Sequence, residues 1–538
     1  MSILRPLPRG LTKPISFALV LAWGAQMVFL VRHTYLGAPV ALAADLARYG
    51  SAAQWRGVYY RGEKIGFTVS QTLPREQGYE LQEDGQLRMS LLGASTTARV
   101  RTTVQVDNAF AVRRFSFSLD PGTGPIAVEG SLEGRRLVLE VKTPAGVRSE
   151  TRELSEPPVL ALNLSRRLAA EGLVPGRQLE VTVFDPATLR NAPMSVHVKG
   201  REVVLAAGRP TPAFRVETSF AGVSSTSWIT DLGEVVKEES AMGLVIVRET
   251  RERATGMGVP GAIQTDMLQA AAVVPRTTQR IDDPKSVARL RIRLEGARFD
   301  AAELEGAGQT VVGDLIEIRD LQNALPGRAD TEASRYLAPE PFLESDDPEV
   351  LAEARRAVLG VEDTRARAER LVRHVAAILQ KKPTVSLPSA REVLRTRVGD
   401  CNEHTALYVA MARALGIPAR VAVGLVHLHG AFYYHAWAEA YVAGPGTTQG
   451  LWLPVDPTLN EFPANATHIR LARGGLDRQA AILPALGKLE ITIVDLDRKP
   501  GYMPILVGRA DGSLGPIDLP LPRRGGASGP TCWSRPAR

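Results

Sequence analysis

Between residues 51 and 250 apolar and polar positions alternate over short runs bounded by Gly, Pro, Asp and Asn, which predicts an all-β region. Trp55–Tyr60 and Lys64–Val69 read as a hairpin around Arg61-Gly62. Further strands are predicted at 85–92, 97–107, 111–118, 125–131, 136–142, 179–184, 195–205 and 213–219. Trp228 begins another hairpin, turning at Asp231-Leu232-Gly233. Only 156–173 reads as helical in this stretch. Many short strands at regular spacing predict a sandwich or a large curved sheet, a binding or scaffolding module over 51–255.

The pattern then changes. Residues 256–283 read as a linker with a short helix at 263–274. Gly256-Met257-Gly258-Val259-Pro260-Gly261 matches G-x-G-x-x-G, but the preceding run is polar, Pro260 interrupts it and no βαβ unit surrounds it. Residues 284–344 form a small β segment and loop. In it Val287–Leu294 alternates apolar with basic and Leu315–Ile318 continues the pattern; 321–344 is a loop placed to cover a cleft. Asp346-Asp347-Pro348 opens helices at 348–359 and 362–380. Leu489–Val494 is a last strand in a β extension over 476–520.

The densest chemistry lies between these helices and that strand. Cys401 follows the turn Gly399-Asp400 and opens a helix with Leu407, Met411, Ala414 and Leu415 on one face, ended by Gly416 and Pro418. A thiol in a first helical turn meets unpaired N–H groups and the positive end of the macrodipole, which predicts a thiolate-favouring site. A strand from Ile417 to Gly424, a loop with His427 and His429, and an aromatic-rich strand Phe432–Tyr441 follow. Leu451–Asp456 is a shorter strand. If it pairs with 432–442, Asp456 falls within about two residues of the position across from His435. That order offers nucleophile, base and orienter.

At these residues the chain resembles the transglutaminase-like superfamily, whose core is related to papain-like cysteine proteases. The resemblance rests on Gly399-Asp400-Cys401, Ala414–Arg420, His435-Ala436-Trp437 and Asp456-Pro457-Thr458, within 345–475. It implies an α+β fold with Cys401 as nucleophile, His435 as general base and Asp456 as the orienting carboxylate. It also implies an oxyanion donor upstream of the cysteine, with the N–H of Cys401 as one candidate. Trp437 and Trp452 read as core or wall, Arg420 as an ion-pair partner, and Glu403 and His404 as first-turn residues with a capping or solvated role.

A metal site is the competing chemistry. Five of the eight histidines fall between 404 and 468, and His427 and His429 share a face if their stretch is a strand. With no second cysteine nearby and a loop-like stretch before Gly430, the expectation is no metal and no cofactor. His468 reads as an ordinary strand or loop residue.

The termini add location. Arg5, Arg9 and Lys13 in a basic stretch 1–14 precede seventeen uncharged residues, 15–31, at the short end for one membrane span. Basic residues before the segment predict the rest of the chain outside the cytoplasm. A signal peptide cleaved near Ala41-Leu42-Ala43 is the alternative, with the same outcome. The net charge of +7 sits at the two ends, 1–14 and the basic tail 521–538, leaving the body neutral by count. No nucleic-acid face is therefore expected. The two cysteines make no disulfide framework, and Cys532 reads as incidental.

The resulting expectation is a transglutaminase-like core at 345–475, preceded by an all-β module and a transmembrane helix. It would be a membrane-anchored, extracytoplasmic and, by its Ala/Arg/Gly/Val-rich composition, periplasmic cysteine enzyme acting on protein or peptide amides. Hydrolysis is expected first, because water is in excess and no calcium-loop pattern is visible. A protein-crosslinking transglutaminase and a non-catalytic envelope scaffold are the alternatives.

Overall fold

The computed structural model describes residues 49–501 apart from 92–93, 123, 221–222, 242, 258–271, 326–328, 383–387, 444–448 and most of 476–487, together with 506–508 and 514–516. The basic N-terminus, the apolar segment 15–31, most of the expected helix at 263–274, Cys532 and the tail 521–538 lie outside the described residues. Among the described residues no helix is long and apolar enough to cross a membrane.

Fourteen strands of the described residues form one antiparallel sheet. They are β1 (Gln54–Tyr60), β2 (Glu63–Arg75), β3 (Gly78–Leu91), β4 (Ala94–Val106), β5 (Val112–Asp120), β6 (Ile126–Glu133), β7 (Arg136–Thr143), β8 (Gly146–Glu153), β9 (Gln178–Asp185), β10 (Arg190–Ala206), β11 (Arg209–Phe220), β12 (Val223–Ile229), β13 (Val235–Ser240) and β14 (Leu244–Glu249). The spatial order runs β8 back to β1, then β14 back to β9. The alternation is physical. In β5, Phe115, Phe117 and Leu119 are buried while Arg114, Ser116 and Ser118 are less so. Phe184 of β9, a terminal strand, packs into the core of β4–β7 and meets Phe115 at 5.4 Å, so the sheet folds over on itself. Helix α1 (Ala161–Glu171) adds Leu164 and Leu168 to a neighbouring apolar cluster.

Four strands make a second sheet in the order β16 (Gln309–Val312), β17 (Leu315–Arg319), β15 (Val287–Glu295) and β24 (Glu490–Arg498). The last of these pairs along β15, so the expected C-terminal extension is in part the far edge of the 284–320 sheet. The stretch 321–344 is not a bare loop. It holds a 3₁₀ turn at Ala333–Leu337, and Tyr336 and Asp330 both contact Trp452.

The third unit positions the site. Helices α2 (Pro348–Ala357), α3 (Thr364–Ile378), α4 (Ala390–Thr396) and α5 (Cys401–Ala414) pack with a sheet in the order β22 (Gly450–Val455), β21 (Ala431–Ala443), β20 (Ala419–Leu428), β23 (His468–Arg473). Nearly every residue of β20 and β21 is buried, as expected for strands covered on both faces. Two short parallel strands, β18 (Gln380–Lys381) and β19 (Val398–Gly399), fix the chain just before Cys401. The expected break at Gly424 is absent. Strand β20 continues through His427 to Leu428 and turns at His429-Gly430, both at positive φ, as a two-residue hairpin requires.

Candidate active site

Helix α5 begins where its caps place it. Asp400 accepts from the N–H of Asn402 (2.8 Å), and Glu403 reaches back to the N–H of Asp400 (2.8 Å), a capping box. Gly399 lets Glu403 do so: a Cβ at 399 would lie 2.2 Å from the Cβ of Glu403. Glu403 is thus a cap, as its position suggests. His404 is fully buried. Its Nδ1 donates to the carbonyl of Asp400 (2.7 Å), and its Nε2 has no hydrogen-bond partner among the described residues.

Cys401 is half-buried at the first position of α5. Thr405, one turn on, donates to the carbonyl of Ala436 on β21 (3.2 Å), and the N–H of Ala436 reaches the Cys401 sulfur. The helix start is therefore docked one residue from His435. The sulfur does not match the thiolate expectation. Burial pushes the thiol well up, Asp400 and then Glu403 and Asp456 add to that, and the Ala436 N–H opposes it. The cap that builds the helix thus also brings carboxylates that raise the thiol further.

Ala438 pairs with Val455 across the β21–β22 hairpin, so the register carries Asp456 to within two residues of His435, as the strand pattern requires. Nε2 of His435 lies 2.7 Å from Oδ2 of Asp456. A carboxylate only accepts, so the proton sits on Nε2 and Nδ1 is left as the acceptor. Asp456 is fully buried. Its Oδ1 takes the N–H groups of Thr458 and Leu459, both at 2.8 Å. Burial alone would raise its pKa, but His435 and His468 hold it well below the carboxylate range.

His468 is the residue that sequence reasoning passed over. It begins β23, is buried, and places Nε2 3.0 Å from the same Oδ2 of Asp456. Its Nδ1 lies 3.1 Å from the carbonyl of Asn465. The only available signal was the antiparallel return of 468–473 alongside β20, which sets it beside the carboxylate. Trp437 packs edge-on to His468 at 5.2 Å and forms the wall expected of it.

Among the described residues, His427 and His429 do not gather with other ligand-type atoms. His427 is buried on β20 against Phe432 with Nδ1 unpartnered, and burial followed by His429 lowers its pKa to about 4. Among the described residues the ligand-type atoms that gather within 4.8 Å are those of His435, Asp456 and His468, already joined by hydrogen bonds. Arg420 forms the expected ion pair, with Glu439 (2.7 Å), and its guanidinium stacks 3.9 Å from the Trp452 ring centre. Asn465, in a glycosylation-like tripeptide, is buried with its amide bonded to Glu461 (2.7 Å).

Residues 352–457 match the family model described as the transglutaminase-like superfamily, so the chain carries a transglutaminase-like domain over that span. No curated protein matches the chain. Among solved structures, a "putative cysteine protease" from Cytophaga hutchinsonii is 16% identical, covering 40% of this chain and 84% of that one, with a TM-score of 0.25. A beta-barrel-like protein of domain family DUF1849 from Brucella abortus is 13% identical, covering 37% and 95%, with a TM-score of 0.30. A "putative protease" from Parabacteroides distasonis is 12% identical, covering 71% and 70%, with a TM-score of 0.19.

Proposed function

We propose that this protein is an extracytoplasmic cysteine enzyme that cleaves peptide or side-chain amide bonds through Cys401, His435 and Asp456. The observation that carries this reading is the joint between α5 and β21. There the Ala436 N–H meets the Cys401 sulfur while His435, the next residue back, is hydrogen-bonded to Asp456 (2.7 Å). The sulfur attacks the acyl carbon as Nδ1 of His435 takes its proton. The imidazolium returns that proton to the leaving amine, and the acyl group stays on sulfur as a thioester. Water then releases the acid; an amine would instead give a new amide. Because the surroundings push the thiol up, His435 acts as a general base during attack. The uncharged run 15–31 behind basic residues supports a membrane anchor with the enzyme outside the cytoplasm.

Acylation of Cys401 by p-nitrophenyl acetate, followed by intact mass and peptide mapping, tests this reading without a known substrate. The expected result is a thioester at Cys401 that water resolves. His435→Ala should slow its formation by about 10²-fold or more, and Cys401→Ala should abolish it with the fold intact. Equal acylation with and without the imidazole would reject the mechanism. A primary amine in the same assay separates hydrolysis from crosslinking. The raised thiol pKa favours a second reading, a docking module with an inert cysteine; the same null result would select it.

A further inference from the structure

We propose that His468 is an imidazolium that shares the Asp456 carboxylate with His435 and supplies a standing counter-charge to it. This rests on the catalytic reading of Cys401, His435 and Asp456. Two contacts carry it. Nδ1 of His468 faces the carbonyl of Asn465 at 3.1 Å, and Nε2 faces Oδ2 of Asp456 at 3.0 Å. A carbonyl and a carboxylate are both acceptors, so a neutral ring would set one nitrogen lone pair against an oxygen lone pair. Only the doubly protonated ring satisfies both contacts.

Neither acceptor is free to turn away. Asn465 is held by Glu461, which takes both its N–H (3.2 Å) and its side-chain amide (2.7 Å), and the Asn465 side-chain oxygen takes the N–H of Thr467 (2.9 Å). Asp456 is pinned through Oδ1 by the N–H groups of Thr458 and Leu459. The surrounding charges agree. Asp456 and Glu461 face His468 from the 456–465 segment, and the His435 ring lies 5.9 Å away on β21. Lys381 and His404 act on Asp456 from the other side, and Lys285 lies 3.7 Å from Glu461. Burial disfavours charge on His468, but the two carboxylates outweigh it and its pKa is raised.

The consequence is a division of charge. A buried carboxylate facing His435 alone would favour the imidazolium and remove the base. With His468 supplying the counter-charge, Asp456 still orients His435 through Nε2, and its hold on a charge at His435 is weakened. His468 touches no reacting atom in this arrangement; it is a positioning residue.

Two measurements on the full chain decide it. In the unaltered protein, histidine-selective ¹⁵N NMR should show both nitrogens of His468 protonated at about pH 8, above the ordinary histidine range; a neutral ring there overturns the proposal. In His468→Gln, which keeps a donor for Asp456 but no charge, the pH dependence of Cys401 acylation should move up by about one unit. A residue that only packs would lower the rate at every pH and leave the midpoint in place, which also overturns the proposal. If the variant does not fold, the NMR result stands alone. Failure of the catalytic reading looks different: acylation would ignore His435→Ala whatever the charge on His468.

Discussion

At the scale of single residues, Asp400 does two jobs that pull against each other. Its carboxylate caps α5, a role worth about 1 kcal/mol in helices generally. The same charge is the second cause, after burial, of the raised Cys401 pKa. Asn caps a helix as well as Asp and carries no charge. Asp400→Asn should therefore leave the thermal midpoint nearly unchanged and speed iodoacetamide alkylation of Cys401 several-fold at fixed pH. An unchanged rate would mean that burial alone sets the thiol. Cys401, His435 and Asp456 were legible because each sits at a local landmark: a capped helix start, an aromatic strand and the end of a hairpin strand. The raised thiol was not legible, because burial and the inward reach of Glu403 exist only once the helix docks. His468 was not legible for the same kind of reason. Its partner is 12 residues away across an irregular segment, and no periodicity marks it.

At the scale of elements, Glu439 binds three strands and an irregular turn together. It lies fully buried on β21 and pairs with Arg420 on β20 and with Arg470 and Arg473 on β23. Arg470 also donates to the carbonyls of Leu304 (3.0 Å) and Gly306 (2.7 Å), tying in the turn before β16. Burial alone would raise the Glu439 pKa, but Arg470, Arg420 and Arg473 bring it down to about 2 from an ordinary 4.5. A depressed carboxylate stabilises the fold above its unfolded pKa, and that contribution is lost as pH falls from about 4.5 towards 2. The size is on the order of 3 kcal/mol. Glu439→Gln strands three cations and should cost a similar amount near neutral pH. The gap from wild type should close below about pH 4, read by urea unfolding across pH; a constant gap would place the loss in packing instead. Many of the strands were readable by their alternation, but β14 (Leu244–Glu249) and β16 (Gln309–Val312) were not. Strand β8 was not readable either, because it is a polar, exposed edge (Gly-Val-Arg-Ser-Glu-Thr-Arg-Glu) without apolar alternation. The pairing of β24 with β15 was equally hidden, since register between strands about two hundred residues apart leaves no local trace.

At the scale of the whole molecule, the β module and the transglutaminase-like unit keep separate cores, and a buried apolar side chain joins one to the other. Phe342 belongs to the segment leading into α2, yet it is buried in the cluster built by β3–β7 and β9. It does so at φ 70°, a conformation costly for a bulky residue and held here by the surrounding structure. Its carbonyl takes the N–H of Ala390, at the start of α4, at 3.0 Å, so the anchor is tied to the transglutaminase-like unit as well. Two ion pairs lie nearby: Arg148 with Asp346 is exposed and contributes little in water, whereas Arg190 with Glu340 is half-buried. Phe342 is the apolar part of this joint. The small cavity beside it, about 40 Å³, is lined by Thr188 and Arg190 of the module and by Asn402, the neighbour of Cys401. A shift at this joint would accordingly alter the wall next to Cys401 while leaving His435 and Asp456 in place. Phe342→Ala removes about 3 kcal/mol of apolar anchoring. It should enlarge the radius of gyration in solution scattering and speed proteolysis within 321–347, with both units still folded by circular dichroism. On the proposed function, acylation of Cys401 by a small ester should survive while turnover of large peptides should fall, because only the second needs the wall. Unchanged scattering and proteolysis would show that the ion pairs hold the modules by themselves.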